Sequence, residues 1–232
     1  MKNKKRLSAL LLLPVIGALA FTSFQQMTAS VVNSQTQLFF DFWNDELKEN
    51  PAEFQLQEQA LQTVRDGANR AIAFAPLSPD YLVARGKVED WAVTEAQRKG
   101  VAPDTVTQQE GLQAYREAIL KRPAWPYAWA DFAMAKARAN EIDQEFFQAL
   151  ERATDLGPWE QQVMDTVTLL GLWYRDWLPQ ESLLAVTANL VRYAKTYPAQ
   201  AMAIARTQNK TSLVCPLLDH PERFKKECDK QI

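Results

Sequence analysis

Tyr115-Arg-Glu-Ala-Ile-Leu-Lys-Arg-Pro123 and Leu150-Glu-Arg-Ala-Thr-Asp-Leu-Gly-Pro158 decide the fold. Each stretch carries an alanine followed five residues later by a proline, and the two frames lie 35 residues apart. Ala71 and Pro76 repeat the same spacing upstream. Small residues let helices approach closely, and a proline cannot continue a helix, so each stretch reads as the end of a helical hairpin. A recurrence of this length predicts stacked hairpins.

Composition agrees. The chain has 232 residues, 47% of them hydrophobic, and only seven glycines. Alanine, leucine and glutamine are abundant, which favours helix, and no long run shows the period-two alternation of half-buried strands. The predicted class is all-α. Residues 1–24 hold Lys2, Lys4, Lys5 and Arg6 and no acid, which leaves 22 basic and 28 acidic residues in the remainder. A domain with that balance lacks the basic footprint that nucleic acid requires.

The first segment is a targeting or anchoring element. Lys2 to Arg6 precede an apolar run from Leu7 to Phe24. Two readings stand. A cleaved signal peptide would use Ala18-Leu19-Ala20 or Thr28-Ala29-Ser30. A retained anchor needs roughly 17–25 residues to cross a bilayer, and Leu7–Phe24 reaches that range. The anchor is favoured because Phe21 and Phe24 extend the run past Ala20. In either case the basic flank stays in the cytoplasm and the rest of the chain crosses. The organisation expected is a basic start and signal anchor over 1–30, a helical-repeat domain over 31–207 and a tail over 208–232.

Along the repeat domain, Leu38, Phe39, Phe42, Trp43 and Leu47 form one helical stripe over 35–49. Asn50 and Pro51 read as the cap and first turn of the next helix, whose stripe uses Phe54, Leu61, Val64, Ala68, Ala71 and Ile72. Ser78-Pro79 opens another helix with Gly86 placed for packing. Thr107-Gln-Gln-Glu110 has the form of a capping box before Leu112–Lys121. Pro126 begins a helix with Trp129, Phe132 and Ala133, and Asn140 to Asp143 link it to Glu145–Leu156. Helices are expected at 160–177, 179–196 and 199–206, in a right-handed stack of about four hairpins.

These residues resemble tetratricopeptide repeats. Tyr115, Ala118 and Pro123 match the second helix of one unit; Trp129, Phe132 and Ala133 match the first helix of the next; Leu150, Ala153 and Pro158 close it. Over nearly its full length the chain resembles a narrower family, the VpsP-type proteins of bacterial exopolysaccharide clusters. The resemblance rests on the basic start and single anchor, on Tyr81-Leu-Val-Ala-Arg-Gly-Lys-Val-Glu-Asp-Trp91, on Arg122-Pro-Ala-Trp-Pro-Tyr-Ala-Trp129 and on Leu169-Leu-Gly-Leu-Trp173. It implies a membrane-anchored helical-repeat accessory to polysaccharide assembly, in the bacterial inner membrane with its bulk in the periplasm. It brings no active-site residues with it.

Chemical sites are few. His220 is the single histidine, which disfavours a catalytic triad or a histidine-rich metal site. No cofactor or metal is expected. Glu89/Asp90 and Asp143/Glu145 read as solvated faces or caps, with paired-acid glycosidase chemistry as the sharper alternative. Cys215 and Cys228, 13 positions apart, read as a disulfide, the usual state of an isolated pair in an exported chain. Trp125, Tyr127 and Trp129 cluster at a turn, and Trp173 and Trp177 lie four apart. Packing is the default for them; a stacking platform for sugar rings or an aromatic partner surface is the alternative. Three functions follow in order: a non-catalytic scaffold that holds a protein of the polysaccharide machinery through a concave face, a carbohydrate-binding module, and a glycan-cleaving enzyme. A polar, mixed groove would favour a protein partner; exposed Trp125 and Trp129 in a groove would favour sugar.

Overall fold

The computed structural model describes residues 2–229, with side chains from Leu13 onward, so the side chains of the Lys2–Arg6 cluster lie outside the described residues. The fold is all-α, without strands among the described residues. Four helical pairs follow one another: α1 (Lys2–Glu49) with α2 (Glu58–Phe74), α3 (Pro79–Arg98) with α4 (Thr105–Lys121), α5 (Pro126–Arg138) with α6 (Gln144–Leu156), and α7 (Gln161–Trp173) with α8 (Gln180–Thr196). Then α9 (Pro198–Thr207) and the short helices α10 (Thr211–Val214) and α11 (Lys225–Cys228) close the far end.

The Ala-to-Pro signature does the work its chemistry suggested. Ala71, Ala118 and Ala153 are fully buried, and their carbonyls accept the final backbone N–H bonds of α2, α4 and α6. The large residues interdigitate between them. Tyr115 is fully buried, and a Cβ added at Gly86 would lie 2.7 Å from its ring. Gly86 therefore lets α3 and α4 close around that ring. Gly171 does the same for α7 and α8, where a Cβ would meet Val186 at 2.1 Å. Leu112, Phe132, Phe146, Leu150, Val163 and Val167 join these pairs into one core running from α3 to α8.

Several local expectations are corrected. α1 runs unbroken from Lys2 to Glu49, so the apolar N-terminal segment and the stripe over 35–49 belong to one helix. Its buried face passes through Ala29, Thr36, Phe40 and Trp43, whereas Leu38 and Phe42 turn outward. The two outward residues sit on the flank that no second helix covers. Asn50 and Pro51 do not open α2. Residues 51–53 turn and residues 54–57 are irregular before Glu58 starts the helix. Within that segment Phe54 and Leu56 enter the core beside Trp43, while Gln55 and Gln57 stay exposed. Arg98 ties this segment down by donating to the carbonyls of Pro51 and Phe54.

At α4 the capping box gives way to Asp104, whose carboxylate accepts from the Thr107 backbone N–H at 2.8 Å and from its hydroxyl at 2.9 Å. An ionised acceptor is favoured at the positive end of a helix. The helix expected over 160–177 stops at Trp173, and Arg175–Trp177 form a tight 3-10 turn before Pro179. Cys215 and Cys228 form the expected disulfide, with Cα atoms 5.7 Å apart. It clips α11 to a tail whose Val214 and Leu218 are buried against Leu190, Tyr193 and Met202.

Candidate partner groove

The first helices of the four pairs share one face, and a groove of about 560 Å³ runs along it. α1 contributes Gln37, Asp41 and Asn44; α3 contributes Lys87, Asp90 and Thr94. α5 adds Asp131, Met134 and Arg138, and α7 adds Gln162 and Thr166. The lining is mostly polar and carries both signs of charge. It is built by helical spacing: Lys87, Asp90 and Thr94, and Asp131, Met134 and Arg138, recur at three- and four-residue steps on the groove side of their helices.

The floor of the groove is a neutralised charge network. Arg138 pairs with Asp90 at 3.0 Å, Tyr115 donates its hydroxyl proton to Asp90 at 2.8 Å, and Lys87 pairs with Asp131 at 3.1 Å. Burial pushes the Asp90 carboxyl up to about 6, while Arg138 and the Tyr115 hydroxyl pull against that rise. Burial also raises Asp131, against the nearby Lys87, and drives the Tyr115 phenol well above its ordinary value. Three carboxylates therefore line the groove: Asp90 and Asp131 each have their own cation, and Asp41 is exposed to solvent. A paired-acid hydrolase needs one proton-bearing acid and one free carboxylate flanking the scissile bond. Asp90 and Asp131, the two on the groove floor, are committed to ion pairs.

Asp90 gives the groove a pH signature. Between pH 3.8 and about 6 the folded state keeps a proton on Asp90 that the unfolded chain has released. Stability then rises as pH falls through that window, and the full burial penalty remains above it. Asp90→Asn should abolish that component: the gain on going from about pH 7 to about pH 5 shrinks in the variant. Urea unfolding at the two pH values measures it, and an identical gain in both proteins would show that Asp90 titrates normally.

The acidic pairs singled out in the sequence separate into different roles. Glu89 does not sit on a solvated face. It is 1% exposed and forms a bidentate pair with Arg65, at 2.9 and 2.7 Å, while Arg85 closes on it from one turn earlier. Asp143 is a cap, as expected, accepting from the Phe146 backbone N–H. With Glu141 and Glu145 it also surrounds the Lys136 ammonium, which is 1% exposed. The Arg116 guanidinium, with Lys136, holds the Glu145 carboxyl down at about 2. Both clusters lie between hairpins and join them. His220 is exposed, with Nδ1 3.1 Å from Glu222.

The five aromatic residues do not form one platform. Trp125, Tyr127 and Trp129 are half-buried at the start of α5. Arg122 stacks over the Trp125 ring, Tyr127 donates to the Glu160 carboxylate, and the Trp129 indole N–H donates to the Pro123 carbonyl at 2.8 Å. None of them lines the groove. Trp173 and Trp177 are 65% and 72% exposed at the opposite end of the α7 axis. Twelve residues of helix, about 18 Å, separate Trp173 from the α5 start, which packs beside Gly157 and Glu160. The groove residues form no motif in the sequence; the one signal they carry is the recurrence of polar residues at three- and four-residue steps in α3 and α5.

No protein-family model and no curated protein sequence matches this chain. The fold and groove define an all-α hairpin-repeat protein with a long apolar N-terminal helix. Among the described residues no group of three metal-ligating side chains converges.

Proposed function

We propose that this protein is a membrane-anchored adaptor whose groove holds a protein component of an extracytoplasmic exopolysaccharide assembly or export machinery. The observation that carries the adaptor reading is the groove itself: polar, of mixed charge, lined by four successive first helices, and with the Asp90 and Asp131 carboxylates of its floor paired to Arg138 and Lys87. Mixed-charge surfaces of this kind select partners by complementary potential. The exopolysaccharide context comes from the resemblance to VpsP-type proteins.

The anchor reading is supported by α1. Leu13, Ile16, Leu19, Phe21 and Phe24 are all exposed on a continuous helix, which is the one described helix long and apolar enough to cross a membrane. Cleavage at Thr28-Ala29-Ser30 would remove the fully buried Ala29 from the first hairpin, which favours retention. The disulfide supports an oxidising compartment, which in this reading is the periplasm. A second reading, sugar binding, draws on the exposed Trp173 and Trp177 alone.

The test is polymer output. Asn44→Arg with Thr166→Arg blocks the groove from an exposed position on α1 and a half-exposed one on α7, neither of them in a core cluster. In a null strain, this variant should accumulate to the normal level yet fail to restore surface polysaccharide. Normal polymer from a blocked groove contradicts the proposal.

A further inference from the structure

We propose that the loop edge beside the α1 span rests on a lipid bilayer surface, with Leu77 and Leu120 inserted into its interface. The inference relies on the reading of α1 as a membrane anchor and adds a second contact between the repeat domain and the same membrane.

The geometry begins with α1. Its side chains remain exposed through Phe24 and Met27, and two residues later Ala29 is fully buried against Ala71, Ala75 and Tyr81. From Phe24 to Ala29 the helix rises about 7.5 Å. The interfacial layer on each side of a bilayer core is about 5–7 Å deep. Ala29 thus sits at the outer limit of that layer, and α2, with Gly67 beside Thr36 and Ala71 and Ala75 beside Ala29, runs back toward the span, which brings the turn at residues 75–78 to headgroup depth when Leu7–Phe24 spans the core. Leu77 stands at its tip, 81% exposed.

The next hairpin returns to the same level. α4 runs antiparallel to α3, with Gly111 against Glu89 and Tyr115 against Gly86, so its C-terminal end lies beside the start of α3. Leu120 projects there, also 81% exposed. These two leucines are the most exposed of the large apolar side chains among the described residues. Neither belongs to a hydrophobic cluster of the fold, and both sit on the one edge that α1 directs toward the membrane.

Charge distinguishes this edge from its opposite. The connections on this edge, residues 75–78, 121–125 and 157–160, carry Lys121 and Arg122 against Glu160 alone. The connections at the other end, residues 50–57, 99–104, 139–143 and 174–179, carry Glu53, Asp104, Glu141, Asp143 and Asp176 against Lys99 and Arg175. Basic groups beside inserted apolar side chains suit an anionic headgroup layer, and the acidic edge suits water.

The experiment uses the full chain in phosphatidylethanolamine–phosphatidylglycerol vesicles. Leu77→Cys, Leu120→Cys, Val101→Cys and Ile16→Cys each receive a nitroxide label, the native thiols being occupied in the disulfide. Val101 lies on the acidic edge and is 60% exposed. Collision with oxygen is compared with collision with a water-soluble nickel complex. Labels at 77 and 120 should show an oxygen-to-nickel ratio several-fold above the label at 101. If they match position 101 while position 16 is lipid-buried, the second contact is refuted and the anchor stands. If position 16 is also aqueous, the anchor reading falls and this inference falls with it.

Discussion

Glu89→Ala lowers the stability of the domain by about 3–5 kcal/mol, the usual cost of removing one partner from a buried ion pair. The side chain is 1% exposed, and its two cations, Arg65 and Arg85, are only 20% and 13% exposed. The substitution leaves two guanidinium groups facing each other where water enters poorly. Arg85 retains Glu110 at 2.7 Å and Asn69 at 3.0 Å, so Arg65 bears most of the loss. In a domain of this size each kcal/mol moves the melting temperature by roughly 2–4 °C, a shift that circular dichroism resolves readily. Arg65→Met combined with Glu89→Met should regain much of the loss, because apolar side chains of similar volume replace a buried pair at little cost. An unchanged melting temperature in Glu89→Ala would show that the pair is hydrated.

Phe132→Asp has a still larger effect: no folded protein accumulates. Phe132 is 2% exposed in the core that unites α3 to α8, and Arg116 lies over its ring at 5.5 Å. Loss of the ring alone costs about 3–5 kcal/mol, and the buried carboxylate adds its own desolvation. Arg116 is already committed to Glu145 at 2.7 Å and cannot serve it without releasing that pair. Trp129→Ala provides the contrast. That ring is half-buried and makes one indole hydrogen bond to Pro123, so its loss costs about 1–2 kcal/mol. Protein level and circular dichroism separate the two, and equal yields would place Phe132 outside the shared core.

The hairpin register was legible because Ala118, Pro123, Ala153 and Pro158 act locally: a small residue at a close approach, then a ring that ends the helix. The disulfide was legible because two cysteines leave one pairing. Features that depend on distant partners were not. Glu89 looks solvated until α2 brings Arg65 beside it, 24 residues away. Phe54 reads as part of α2 until Trp91 supplies the ring against which it packs ahead of the helix. Leu38 and Phe42 look like core because their spacing fits one helical face, but α2 packs on the face through Phe40 and Trp43 instead. The groove was hidden for a related reason. Lys87, Asp90, Asp131 and Arg138 become a site only when stacking sets α3 beside α5.

The adaptor account is tested most directly by photo-crosslinking in living cells. A photoreactive residue is placed at Thr94 or Met134 in the groove, and at the exposed Thr187 on α8, away from it, as a control. The account predicts that both groove positions give the same protein adduct, a membrane component of the polysaccharide machinery, and that position 187 gives none. Folded, abundant protein that yields no adduct from either groove position, or an adduct to polysaccharide in place of protein, would contradict it.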